Sequence, residues 1–381
     1  MSFENEHLGI KLTHFLCVDL IKKRPVKFLK NLIFFQYFVV QIIQTYYFLK
    51  IFEIRFFVKY APVYFGTYFL LFVIIVSWFS ENIDNYTTAQ FDKWELENMT
   101  QTFDEKLYKK IKTPSMIVSI VIITNFALAL VSGYFHILPD DDDKEIFFIF
   151  IFVEEHFPKW QSVISWAIRS TYIFTAYFMI YPINTLSYFM WRLKFHMYFY
   201  LENIKKINEG RPQNEKNITT CIPFQKEVRK RLIRCIKRHT EIAHLYTLTN
   251  GIFGTMILVC AVLGGLLMVS TAFFVLAFEG SFFKKIWRVG TLILCAAITS
   301  AGSTHSGESL ETSGNNIFLY LKEQDWYIWD RENQKIYLIF LTNVKPLRIE
   351  FSADVGINYK LAVSTLRTVY SIVSVLSQLI K

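Results

Sequence analysis

The five cysteines, Cys17, Cys221, Cys235, Cys260 and Cys295, stand far apart in the 381 residues, with no CxxC pair and no histidine at ligand spacing. Neither a disulfide framework nor a metal centre is indicated, and the thiols are expected to be small packing groups. An internal repeat of the kind seen in transporters built from two halves is also lacking. Pro62 and Pro182, expected to interrupt two helices, keep a transporter as a minor alternative. A membrane enzyme would need converging nucleophiles, carboxylates or metal ligands. Of the eight histidines only His239 and His244 are close, and five positions apart on a helix is poor geometry for one ion. No enzyme activity and no cofactor are therefore expected. No cleavable signal peptide is apparent either: Lys22, Lys23, Arg24 and Pro25 precede the first apolar block, which is expected to act as its own insertion signal.

What is abundant is apolar surface. Hydrophobic residues make up 53% of the chain and aromatic residues 18%, more than a soluble domain of this length needs. They fall in blocks of about 20 residues or more, the length a helix requires to cross about 30 Å of hydrocarbon. The two-residue alternation of a membrane barrel is absent. The net charge of +9 comes from basic residues between the apolar blocks. Their expected partners are anionic lipid head groups, and nucleic acid is not indicated. Seven spans are predicted, at Asn31–Phe52, Tyr60–Phe79, Pro114–Leu138, Ala167–Trp191, Gly251–Phe278, Ile286–Ser303 and Asp354–Ile380. The apolar segment Ile146–Val153 is too short to cross and reads as part of a loop folding back onto the membrane surface.

Basic loops stay in the cytoplasm. The N-terminal segment, the loop bearing Lys106, Lys109, Lys110 and Lys112, and the stretch Arg192–Arg238 are basic, whereas the loop with Asp140, Asp141, Asp142, Asp143, Glu145, Glu154 and Glu155 is acidic. The N-terminus is thus expected inside and the C-terminus outside, the reverse of a G-protein-coupled receptor. Glycosylation sequons at Asn85, Asn98 and Asn217 fall in loops assigned to the cytoplasm, and mapping their use tests the topology.

From Glu227 through Arg231, Cys235 and His239 into the run after Gly251 no proline intervenes until past Leu276. A helix of about 50 residues is roughly 75 Å long and must leave the membrane. Span four, through Trp191 to Ile207, and span six, onward through Trp329, are read the same way. Trp326, Tyr327 and Trp329 suggest that these extensions bundle. The small residues Ala296, Ala297, Ser300, Ala301 and Gly302 read first as a helix-packing face.

In the last span Lys360, Ser364, Arg367, Ser371, Ser374 and Gln378 recur at alternating spacings of four and three, forming one polar stripe on an otherwise apolar helix. Such a stripe either bonds the helix to its neighbours or lines an aqueous path. Val375 and Leu379 border it, where apolar side chains close a pore by excluding water.

Three stretches resemble the insect odorant receptors: "LIRCIKRHTEIAHLYTLTN" at Leu232–Asn250, "GESLETSGNNIFLYLKEQDWYIW" at Gly307–Trp329 and the closing "VYSIVSVLSQL". The resemblance implies an all-α fold of seven transmembrane helices with a cytoplasmic anchor domain, and four subunits around one pore. It further implies a seventh helix split between Lys335–Thr342 and, after Asn343 and Pro346, a pore helix. Organisation follows as residues 1–190 (spans one to four, holding the ligand), 191–250 (cytoplasmic extensions), 251–303 (spans five and six), 304–350 (anchor region) and 351–381 (pore helix). The pore-lining set would be Ser371, Ser374, Val375, Gln378 and Leu379. A small apolar volatile would bind in the extracellular half, among Tyr60, Tyr64, Tyr68, Phe126, Tyr134, Tyr172, Phe174, Tyr177 and Thr299. The long insert that the shared co-receptor carries in its second cytoplasmic loop has no room in this chain. A tuning subunit in a heterotetramer with co-receptor subunits, in the plasma membrane of a sensory neuron, is the implied role. Related gustatory receptors end in Thr-Tyr, five apolar residues and Gln-Phe, where this chain has Ser371, Ile372, Gln378 and Leu379; a gustatory-type channel subunit is the alternative.

Overall fold

The computed structural model describes residues 8–50, 53–101, 105–139, 143–212, 218–277, 282–344, 350–352 and 355–380. A helical stretch at Leu8–His14, with a π-helical turn at Phe15–Asp19 and a last turn at Leu20–Lys22, leads into α1 (Arg24–Lys50), α2 (Ile54–Gln101) and α3 (Glu105–Ile137). Next come α4 (Phe148–His156), α5 (Gln161–Ser170), α6 (Tyr172–Lys205), α7 (Ile222–Ala277), α8 (Phe282–Lys322), α9 (Arg331–Asn343) and α10 (Tyr359–Ile380). The all-α architecture is as expected. The one addition among the described residues is a small antiparallel pair, β1 (Glu350–Ser352) and β2 (Val355–Gly356), ahead of α10. There β1 lies against α7, so two very short strands satisfy backbone groups where the chain turns.

Among the described residues five helical segments are long and apolar enough to cross a membrane, at Arg24–Lys50, Phe56–Phe79, Thr113–Ile137, Pro158–Asn208 and Gly254–Val275. They coincide with the first five expected spans. The sixth and seventh lie in α8 and α10, whose hydroxyl, small and basic residues dilute their apolar character. Helix α6 forms the axis of the bundle, packed against α8, α3 and α2. From Tyr177 to Met197 nearly every side chain is buried, as a helix surrounded on all sides requires.

Several expectations are corrected. Pro62 and Pro182 interrupt nothing: α2 runs through 48 residues and α6 through 34. Neighbouring helices support the local loss of a backbone hydrogen bond. The segment around Ile146–Val153 is a helix whose Phe148, Ile149, Phe150 and Val153 are buried, and it packs on α1. Its apolar content is spent on the interior, not on a membrane surface. The helix of span six ends at Lys322, before Trp329. Ala296, Ala297, Ser300 and Ala301 are exposed, and α8 buries Cys295 and Thr299 instead. Of the small-residue face only Gly302, half-buried near Val121 of α3, meets another helix of this chain.

At one end α2, α6, α7 and α8 run on past the apolar spans and pack together. Helix α7, unbroken over 56 residues, is about 84 Å long. Trp94 of α2 is fully buried there and donates from Nε1 to Glu241 of α7 at 2.9 Å. Trp329 is buried and donates to Asn208 at 2.7 Å, whereas Trp326 and Tyr327 stay exposed. Asp330 caps α9 by accepting from the Asn333 amide at 2.7 Å, and the buried Asn333 side chain donates to the Gln225 carbonyl at 2.9 Å. The short helix α9 is thereby fixed across α7.

Candidate ligand and pore sites

Three groups of side chains occupy the bundle between its centre and the end carrying α4. The first lies between α1, α2 and α4. Tyr60 is buried, edge-on to Phe56 at 5.0 Å and Phe148 at 5.7 Å, and donates to the Lys144 carbonyl at 3.0 Å. Tyr64 meets Phe48 of α1 edge-on at 4.7 Å. Its hydroxyl and that of Tyr68 form a triangle with Thr45, with edges of 3.3, 3.5 and 3.4 Å. The second group lies along α3 and α6. Phe126 stacks on Tyr177 at 5.3 Å, and Tyr177 donates to the Leu16 carbonyl at 2.9 Å, drawing the N-terminal stretch into the bundle. Tyr172 stacks on Phe147 at 5.3 Å and meets His136 edge-on at 6.0 Å. The third is polar: Asn125 donates to Thr299 at 2.8 Å and to Asn184 at 3.2 Å, joining α3, α8 and α6.

The structure thus brings Tyr60, Tyr64 and Tyr68 together, and Phe126 with Tyr177. Tyr172 and Thr299 are buried nearby on other faces. It leaves Tyr134 and Phe174 at 53% and 44% exposure, outside these groups.

A charged clamp closes the same end. The Asp143 carboxylate is 3% exposed and accepts from Arg169 at 2.7 Å and from Arg288 at 2.5 Å. Arg288 also donates to the Leu138 carbonyl at 2.6 Å, and Arg169 lies over the Phe150 ring at 4.7 Å. One carboxylate from the acidic connection so ties the ends of α3, α5 and α8.

Helix α10 hangs on α7 and α8 by one face. Val363, Leu366, Tyr370, Ile372 and Val375 are exposed, as are Ser371 and Gln378 of the polar stripe, while Ser374 is half-buried. The Leu379 side chain lies outside the described residues. The start of α10 is gripped by α8: Glu308 accepts from the Tyr359 amide at 3.3 Å, and the Tyr359 hydroxyl meets His305 Nδ1 at 2.7 Å. Asn358 caps the helix by accepting from the Leu361 amide at 3.1 Å. Gly307 packs directly on the Ile357 carbonyl, leaving no room for a Cβ. Helix α8 therefore carries Thr299 in the interior and, two turns on, the seat of α10.

No cluster of three or more His, Cys, Asp or Glu side chains fit for a metal occurs among the described residues. Burial pushes the Cys235 thiol, in the extension of α7, up to about 12, which makes it a packing group at neutral pH.

A family model described as "7tm Odorant receptor" matches residues 80–370, about three quarters of the chain. The chain belongs to the 7tm odorant receptor family. This is a receptor family and not an enzyme family. Among solved structures, this odorant receptor is similar to the insect olfactory receptor OR5 from Machilis hrabei, with a TM-score of 0.60 and 12% identity over 91% of this chain and 88% of that one. The same receptor in complex with eugenol matches with a TM-score of 0.57, 12% identity and the same coverage. At that identity the likeness establishes the shared fold. No curated protein sequence matches.

The sequence reading did not single out Gln41, Gln44, Thr45, Asn125, Asn184, Arg169 or Arg288, and it placed Asp143 only within an acidic loop. The signal for the first three was present, since polar residues at helical spacing inside an apolar span are costly and point inward.

Proposed function

We propose that this odorant receptor is a tuning subunit of a ligand-gated, non-selective cation channel in the plasma membrane of a sensory neuron. It binds a small volatile among the groups centred on Tyr64, Phe126, Tyr177 and Thr299 and opens a central pore in a heterotetramer with co-receptor subunits. The N-terminus and the helical extensions are cytoplasmic, and the C-terminus is extracellular. The basic extensions and the acidic α3–α4 connection support this orientation.

The observation that carries the reading is the path along α8. Its Thr299 accepts from Asn125 inside the bundle, and its Gly307 and Glu308 seat the start of α10. A ligand that binds more tightly when α8 is displaced shifts α10 with it, which is all that gating by a ligand requires. The exposed stripe of α10 supports the pore assignment, because Ser371 and Gln378 beside Val375 suit water and ions better than lipid. Ser374 and Leu379 complete the proposed lining. OR5 from Machilis hrabei has been solved with eugenol, and the ligand proposed for this chain is likewise a small volatile.

The test is co-expression with an odorant co-receptor and whole-cell recording against cells carrying the co-receptor alone. A volatile-evoked cation current that requires this chain, with permeation altered in Val375→Ala or Gln378→Ala, is the expected result. Glycosylation at Asn85 would overturn the orientation.

A further inference from the structure

The inward stripe of α1 is polar where an apolar one would suffice. Tyr37, Gln41 and Gln44 follow one another at spacings of four and three, and Gln44 is fully buried with Gln41 at 4% exposure. Among the described residues neither carboxamide makes a well-aligned hydrogen bond, although the Tyr68 hydroxyl approaches Gln41; the Tyr37 hydroxyl faces Thr175 and Thr171 at the start of α6, and Gln44 has no such neighbour. Each such carboxamide costs about 1–3 kcal/mol when left without a partner in an apolar surrounding. Burial inside this chain places them beyond the reach of a neighbouring subunit or a lipid. Gln41 stands beside the Tyr68 hydroxyl, at the Thr45–Tyr64–Tyr68 triangle, and the Phe48 ring against Tyr64 supplies an apolar wall. Unpaired donors and acceptors next to an aromatic wall are the complement of a molecule with a hydrocarbon body and one oxygen function.

We infer that Gln41 and Gln44 form the polar subsite of the ligand cavity, and that this receptor is selective for oxygenated volatiles carrying a hydroxyl or carbonyl over hydrocarbons of the same size. The inference rests on the reading that the bundle binds a volatile. It changes the ligand chemistry expected from the sequence, where the aromatic residues alone pointed to an apolar molecule. It also adds α1 to the helices that contact ligand.

The test uses the full-length chain in lipid nanodiscs and a size-matched pair of probes, 1-octanol and n-nonane, read as a shift in thermal unfolding. The oxygenated member is expected to act at concentrations about 10- to 100-fold lower than its hydrocarbon twin, the ratio that one hydrogen bond to a buried amide produces. In the Gln41→Met/Gln44→Met double variant that preference is expected to vanish, with the unliganded melting temperature unchanged or higher, because two unpaired amides have been removed. Equal action by the two members, no action by either, or a preference that survives in the double variant overturns the inference; the amides then hold water only. Loss of stability in the unliganded double variant also overturns it, because the amides would then be structural. If the preference holds but no volatile evokes a current with the co-receptor, the channel reading fails and the binding subsite stands.

Discussion

Replacing Asp143 by Asn keeps the shape of the side chain and removes a negative charge shared by two guanidinium groups. In the native chain each Arg–carboxylate pair, at a charge separation of about 4 Å, is worth about 4 kcal/mol at an effective dielectric of about 20. Much of that gross attraction is offset by the desolvation of three charges that are 3%, 8% and 15% exposed. In Asp143→Asn the attraction disappears, while the two arginines remain buried and repel each other. Removal of one partner from such a buried set costs about 3–5 kcal/mol. For a chain of this size that corresponds to a fall in apparent melting temperature on the order of 5 °C or more. The assay is thermal unfolding of the purified full-length receptor, with the surface level in cells as a second reading. The double variant Asp143→Asn/Arg288→Met removes one of the two buried cations and is expected to regain about 2 kcal/mol or more relative to additivity. A single variant that melts within about 1 °C of the native chain, or a double variant that is strictly additive, would refute the view that this carboxylate holds α3, α5 and α8 together.

Two other outcomes follow from the same geometry. Gly307→Ala places a Cβ against the Ile357 backbone, which has no freedom to move aside, and is expected to cost about 1–3 kcal/mol of the α8–α10 junction; evoked current should fall while volatile binding in nanodiscs persists, and intact gating would remove α8 from the coupling path. His239, in the extension of α7, lies edge-on to Phe340 at 5.4 Å and is held by burial below the usual histidine range. The folded state therefore favours the neutral ring. Its full contribution is present above the unfolded value of about 6.5 and is lost as pH falls below that, because the unfolded chain takes up the proton first. Melting temperature should decline between about pH 6.5 and 5 in the native receptor, and less steeply in His239→Phe.

The amino-acid sequence by itself determined the helical class of the fold and the position of most of its long helices. Apolar runs of membrane-spanning length, the proline-free stretch through Arg231 and His239, and the break around Asn343 and Pro346 are local, and each appears in the fold as α1 to α3, α7, and the separation of α9 from α10. The aromatic positions Tyr60, Tyr64 and Tyr68, spaced by four, also had to share a face. What only the tertiary structure decided depends on partners distant in the chain. That Asp143 is a structural carboxylate was settled by Arg169 and Arg288, brought to it from 26 and 145 positions away. Whether the small face of α8 packs was settled by α8 turning Cys295 and Thr299 inward instead. Pro62 and Pro182 look like breaks in a single helix and cease to be breaks once neighbouring helices hold the backbone. Gln41 and Gln44 read as two polar residues in an apolar span until the fold buries them beside the Thr45–Tyr64–Tyr68 triangle. Periodicity specifies which residues share a side of a helix, but only the packing of helices specifies what that side meets.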